Sequence, residues 1–455
     1  MKQNKAIICL SISLLVISLA ICPASIQALD RTNQNSIRST DSNASITESQ
    51  SQPATIEETA PTSSTPLTSG QTPTTDKEVM PVEKLEVSIS KSKVAVGETA
   101  QISATILPST TSQIVQYQVS NPAVVSIDNA GQVTGLSTGV AEIKVSSQDG
   151  TVSSSVTITV VKPSVSYQSH IQNVGWQSFA KDGAMSGTQG KSLRLEAIKI
   201  KLDDVTYSGH INYQVHIQNV GWQVVNGKPY VSDGAVAGTT GQAKRMEAIK
   251  ITLTDELVAH YDIYYRVHIQ NIGWLSWAKN GEAAGSQGIA ARLEGIEIQL
   301  LPKGTANLDQ SRPFVSPATL SYQTHIQDMG WTGIRNNNDI SGTTGLERRL
   351  EALKVMTSQS NLSGAIVYQT HIQDIGWQSK VSNGGISGTT GQSKRIEAVN
   401  ISLTGELSYY YDIYYRVHVQ DKGWLPWAKN GGNAGSSGAS KRLEALQIQL
   451  VLKEN

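Results

Sequence analysis

The chain has 455 residues, enough for about three domains, and carries 37 basic against 37 acidic side chains. That balance gives no electrostatic reason to expect nucleic acid or an acidic membrane surface as a partner. Only two residues are phenylalanine, against 15 tyrosines and eight tryptophans, and aromatics with a polar handle suit half-exposed, ligand-facing surfaces better than one large oily core.

Residues 1–28 read as an export signal. Lys2 and Lys5 precede an apolar run from Ala6 to Ile21, small residues follow, and a cut fits after Ala28. Both cysteines, Cys9 and Cys22, lie inside it, so the exported chain would have no disulfide and would be held by its cores alone. Leu19-Ala-Ile-Cys22 offers a second reading, lipidation of Cys22, which Ile21 and Pro23 fit poorly. The apolar run falls short of the ~20 residues that a bilayer span needs, and no later stretch could span. Residues 29–80 are rich in Ser, Thr, Pro, Gln and Asn. Such a composition buries too little apolar surface to offset its ordering entropy, so it predicts a disordered linker.

From 81 to 162 the pattern becomes alternation. Val87, Ile89, Val94, Ile102, Val115, Val124, Ile143 and Val156 mark short segments bounded by turn residues, which predicts an all-β sandwich. Val96-Gly-Glu-Thr99, Pro108, Ser120-Asn-Pro122, Ile127-Asp128, Gly131-Gln-Val133 and Gly139-Val-Ala-Glu-Ile143 resemble the bacterial Ig-like domain of group 2. Tyr117 departs from the Trp that many members carry. The resemblance implies a spacer or adhesion module, not an enzyme.

The rest is repetition. Tyr213-Gln-Val-His-Ile-Gln-Asn-Val-Gly-Trp222 recurs six times in all, with histidines His170, His216, His268, His325, His371 and His418 and tryptophans Trp176, Trp222, Trp274, Trp331, Trp377 and Trp424. The repeats also recur as a block: Asp262-Ile-Tyr-Tyr-Arg-Val-His268 returns as Asp412-Ile-Tyr-Tyr-Arg-Val-His418, and Trp277-Ala-Lys-Asn280 as Trp427-Ala-Lys-Asn430. Three repeats are therefore the folding unit. The expected domains are 163–301 and 318–455, joined by a Pro-bearing linker at 302–317. Each unit alternates with period two, Tyr213, Val215 and Ile217 on one face and Gln214, His216 and Gln218 on the other. The fold class is all-β: an Ig-like sandwich plus two pseudo-threefold β domains, β-trefoil- or β-prism-like, whose closure removes exposed sheet edges.

The His-Ile/Val-Gln strand, the Gly-Trp pair, the Gly-Ser/Thr-x-Gly turn and the Arg-x-Glu-Ala/Gly strand resemble the clostridial hydrophobic repeat with a conserved Gly-Trp. That resemblance implies an extracellular, secreted or cell-surface protein of a Gram-positive bacterium whose repeats bind glycans or proteins.

Six histidines, and six glutamates at Glu196, Glu247, Glu294, Glu351, Glu397 and Glu444, each two residues after an Arg, are too regular for catalysis. A catalytic pair needs one environment that tunes both groups, and sixfold equivalence points to a structural set. No catalytic residue, metal site or cofactor is expected. Invariant Trp176, Trp222, Trp331 and Trp377 read as framework, with the tryptophans favoured as core. Trp277 and Trp427 occur only in the third unit of each block, where the other units have Phe179, Val225, Ile334 and Lys380. Together with Trp274, Trp424, Tyr264, Tyr265, Tyr414 and Tyr415 they form the expected ligand-binding set. The expected function is non-catalytic binding of glycan or cell-wall or host polymer; the alternatives are a protein-binding adhesin or scaffold and, more remotely, a polysaccharide- or peptidoglycan-acting enzyme.

Overall fold

The computed structural model describes residues 81–358 and 360–453. The expected signal at 1–28, the linker at 29–80 and Cys22 lie outside the described residues.

Alternation in the first described segment produces two facing four-stranded sheets. One orders Lys84–Ile89, Thr99–Leu107, Gln132–Gly135 and Val125–Ile127; the other orders Lys93–Ala95, Ser153–Val161, Gly139–Ser147 and Val115–Val119. Their inner positions, among them Val94, Ile102, Ile106, Val133, Ile143 and Ile158, are fully buried and form one core. Lys91 of this sandwich lies 4.9 Å from the ring centroid of Tyr207, which in turn stacks on His260 at 3.4 Å.

Each repeat is a long antiparallel hairpin. In the first three the pairs are Ser164–Ile171 with Leu195–Asp203, Ile211–Ile217 with Met246–Leu253, and Tyr261–Ile269 with Leu293–Pro302. The chain between the two long strands folds back three times. The Gly-Trp pair lies against the His end of the first strand, a two-residue strand lies against its beginning, and a third short strand leaves the repeat. That third strand pairs with the last strand of the preceding repeat: Ala237–Gly238 on Ala197 and Ile198, Ala284–Ser286 on Ala248 and Ile249, and Ser186–Gly187 on Ile296 and Gly295. The loan from the first repeat to the third closes the cycle. Repeats four to six close the same way through Ser387–Gly388, Asn433–Gly435 and Ile340–Gly342. We call the two closed sets the first and second triplets.

Glycine is obligatory at the crossing. Gly238 has φ +104°, and a Cβ there would sit 2.4 Å from the Glu196 carbonyl oxygen, well inside any allowed contact. The tight turns also follow their sequence: Asp233 and Gly234 have φ of 47° and 86°, and Asn338, standing where other copies have Gly, has φ of 69°.

The core position of each repeat is the tyrosine. Tyr167, Tyr213, Tyr265, Tyr322, Tyr368 and Tyr415 are fully buried. A buried hydroxyl needs partners, and these have two kinds. The Tyr213 hydroxyl donates to the Ala235 carbonyl and accepts the Ile200 N–H at 3.1 Å. Tyr167 reaches Ile298 of the third repeat at 3.0 Å, so the tyrosines fasten each repeat to its predecessor around the cycle. This corrects the expectation that Tyr265 and Tyr415 face a ligand. Their hydroxyls are spent on the carbonyls of Glu282 and Gly432.

The segment between the triplets is folded onto the first. Phe314–Val315 adds a parallel strand to Ala284–Ser286, and Val315 is fully buried. Arg312 makes a two-pronged ion pair with Glu406, 3.1 and 2.7 Å, in the short helix Gly405–Tyr410 of the second triplet. No helix among the described residues is long and apolar enough to cross a membrane.

Candidate functional site

The same cluster recurs in every repeat. A bulge where the hairpin strands end turns the His and the following strand's Glu toward each other. In the second repeat, Arg245 Nε lies 2.9 Å from Glu247 Oε1, and His216 Nδ1 lies 3.1 Å from Oε2. The other five repeat these contacts at 2.8–3.3 Å. The carboxylates are almost fully buried, so the arginine supplies the counter-charge that burial demands. Oε1 takes the arginine in every copy; Oε2 is hydrogen-bonded to the His ring in the fourth and sixth repeats, and in the other four the His Nδ1 lies within 3.3 Å without hydrogen-bond geometry. The clasp fixes the hairpin end.

Each His meets its Trp edge-on, with ring centroids 5.3–5.6 Å apart. The six Gly-Trp tryptophans are not core. Five are half-buried and Trp377 is exposed, because the tyrosines already fill the interior. A cation lies over five of the indoles at 4.4–5.0 Å: Lys199, Lys250, Arg266, Lys354 and Arg416 over Trp176, Trp222, Trp274, Trp331 and Trp424. The sixth, Trp377, has Asn400 at the position of those lysines, and it is 37 % exposed. Sequence reasoning classed Trp377 with the framework; the signal that sets it apart was the missing cation at 400.

The two third repeats, where the ligand set was expected, differ. In the first triplet Arg266 lies between Trp274 and Trp277, 5.0 and 4.8 Å from their centroids, and is paired with Glu297 at 2.7 Å. The inter-triplet segment then covers this face. The Trp277 N–H donates to the Asp309 carbonyl at 2.8 Å, and the Ser276 N–H to that of Arg312 at 3.1 Å. Trp277 is left 7 % exposed and Tyr264 1 %. Neither is presented to a ligand, because the chain itself occupies the surface.

In the second triplet Arg416 lies between Trp424 and Trp427 in the same way, at 4.9 and 4.8 Å. Its facing partner is the neutral Gln447, at 2.8 Å. Among the described residues no chain segment is strapped across Trp427, and it is 36 % exposed. Pro426 stands where Ser276 stands and has no N–H to hold a strap. Tyr414 is half-buried with Lys429 Nζ 5.1 Å from its centroid. The structure thus gathers Trp424, Trp427 and Arg416 on one accessible face, with Trp377 a second open indole on the same triplet. Among the described residues, no group of three or more His, Cys, Asp or Glu side chains is placed to hold a metal ion.

Comparison with known proteins identifies two families along the chain. The model of the family described as Clostridial hydrophobic W matches residues 170–204, 216–255, 268–302, 325–358, 371–405 and 418–451. The model of the Bacterial Ig-like domain (group 2) matches residues 81–160. A 68-residue stretch, 15 % of the chain, is 38 % identical to a part of Lacto-N-biosidase of Bifidobacterium bifidum that makes up 6 % of that protein. The chain therefore spans only a small fraction of this relative's length. Ig-like and clostridial hydrophobic W domains are typical of bacterial surface or extracellular proteins, and the W repeats are often binding modules. The chain belongs to the proteins that set clostridial hydrophobic W repeats, here six, behind a group 2 bacterial Ig-like domain.

Proposed function

We propose that this is a secreted or cell-surface, non-catalytic protein that binds glycan through the second triplet. The contrast between two equivalent indoles supports the reading: Trp277 is sealed by the chain, whereas Trp427 is open. A flat, partly desolvated indole beside a guanidinium suits a sugar ring, whose C–H face can stack while its hydroxyls bond to the cation. The sixfold repetition of the His–Glu–Arg clasps, each Glu held by its Arg, supports a structural role for them. Glycan-array binding by the full chain, compared with Trp427→Ala and Trp377→Ala, tests this. At least a tenfold loss in one of these variants is expected, and undiminished binding by both folded variants would sink the site.

A protein ligand is favoured by one observation. The occupant of this face in the first triplet is peptide, bonded to the Trp277 N–H. Against it, Pro426 removes the second of the two N–H donors that hold that peptide. Binding to a cell surface that survives enzymatic glycan removal would select the protein reading.

A further inference from the structure

The first triplet contains a cavity of about 410 Å³ lined chiefly by Gln172, Gln218, Gln270, Arg194, Arg245 and Arg292. Each repeat contributes one Gln and one Arg from equivalent positions, so the cavity lies on the pseudo-threefold axis. The backbone fixes each pair, because every Gln N–H donates to the carbonyl of its Arg at 3.0–3.1 Å.

The polar groups around this cavity are not all spent. Nε and Nη2 of each guanidinium go to the clasp glutamate. No bond within the described chain uses Nη1, and none uses the side-chain amides of the three glutamines. Three guanidinium edges and three amides therefore surround one polar space, with the Tyr410 hydroxyl of the second triplet donating to the Gln270 carbonyl on one side. The buried glutamates balance the formal charge of the arginines, so attraction rests on directed N–H groups.

The second triplet has the same set in Gln327, Gln373, Gln420, Arg349, Arg395 and Arg442, but the residue after each Gln differs. Asn173, Asn219 and Asn271 of the first triplet become Asp328, Asp374 and Asp421. The backbone is unchanged, with φ of 58–62° in all six. The aspartates pair with Arg348, Lys394 and Lys441, which directly precede the axial arginines. Three cation-paired carboxylates thus follow the axial glutamines of one triplet, and three neutral amides follow those of the other.

We infer that the axial cavity of the first triplet binds a tetrahedral oxyanion, phosphate or sulfate, carried as a monoester on a sugar. Three terminal oxygens match three donor sets, and the fourth, bridging oxygen leads along the axis to the sugar. The cavity volume falls within the range of small-molecule sites, roughly 300–1,000 Å³, leaving room beyond the oxyanion for its carrier. This site is separate from the Trp427 face and stands or falls independently of it.

Calorimetric titration of the full chain with glucose 6-phosphate, glucose 6-sulfate and glucose is the test. One site per chain for at least one ester, and none for glucose, is expected; which ester binds identifies the group. The triple variant Asn173→Asp, Asn219→Asp, Asn271→Asp keeps the backbone conformation that the second triplet shows aspartate to accept. It should weaken binding at least tenfold, as should Gln172→Ala, Gln218→Ala, Gln270→Ala, whereas alanines at Gln327, Gln373 and Gln420 should change nothing. No binding of either ester at millimolar concentration, or equal binding by the folded aspartate variant, overturns the site.

Discussion

The two triplets were built from one plan and finished differently. Both close by lending a short strand backward around the cycle, both bury the same tyrosines, and both carry the His–Glu–Arg clasp three times. They diverge where the plan meets solvent. The first has its aromatic face covered by the segment around Asp309 and its Arg266 neutralised by Glu297; the second leaves Trp427 open and gives Arg416 only Gln447. Duplication thus preserved what the fold needs, and the surface was free to specialise.

The largest expected effect separates the two sealed and open indoles. Trp277→Ala removes a buried side chain and should cost about 3–5 kcal/mol. Trp427→Ala, with about a third of the residue in water, should cost less, about 1–2 kcal/mol. Urea unfolding of both variants measures the difference, and equal losses would break the comparison.

Next in size is a change that should not distinguish the triplets. Tyr213→Phe and Tyr368→Phe each strip a buried N–H and a turn carbonyl of their partner, at about 2 kcal/mol apiece. Similar losses for the two would show that the cyclic fastening is common to both; a marked inequality would separate them.

Alkaline pH probes the same tyrosines together. Burial, the largest cause, raises Tyr167, Tyr213 and Tyr322 to about 12 from an ordinary value of 10. A raised acid favours the folded state while it is protonated, so this stabilisation is complete below pH 10 and is lost as pH rises toward 12. The slope approaches about 1.4 kcal/mol per pH unit for each tyrosine that stays protonated in the fold. Circular dichroism against pH should show cooperative loss of structure there, while a flat profile across that window would contradict the burial of these hydroxyls.

The smallest expected change is Asn400→Lys, which restores over Trp377 the cation that other repeats carry. It should leave stability within about 0.5 kcal/mol and reduce quenching of the chain's tryptophan fluorescence by the neutral quencher acrylamide. No change in quenching would mean that the absent cation is not what opens this indole.

Much of this was legible in advance, for identifiable reasons. Turn chemistry is local, so the positive φ at Asp233-Gly234, and at Asn338 in place of Gly, followed from residue type. Strand alternation placed Tyr213, Val215 and Ile217 on one buried face. What misled was treating invariance as burial. The invariant tryptophans lie at the surface, held by an invariant His and most often capped by a cation. The fully buried aromatic is the tyrosine that opens the same motif, where a hydroxyl can bridge two repeats. Aromatic enrichment in the third repeats marked a real difference, but Tyr265 and Tyr415 belong to the common core.

The sequence by itself determined the repeat, its block duplication, the strand period and the turns, because these depend on neighbours along the chain and on side chains that alternate between two faces. Only the tertiary structure decided which tryptophan is open, since Trp277 and Trp427 have the same local sequence of Trp-Ala-Lys-Asn-Gly and differ in what another segment does to them. It also decided that Gln172, Gln218 and Gln270, far apart in the chain, share one cavity. Exposure and convergence are properties of the closed cycle, and no single repeat carries either.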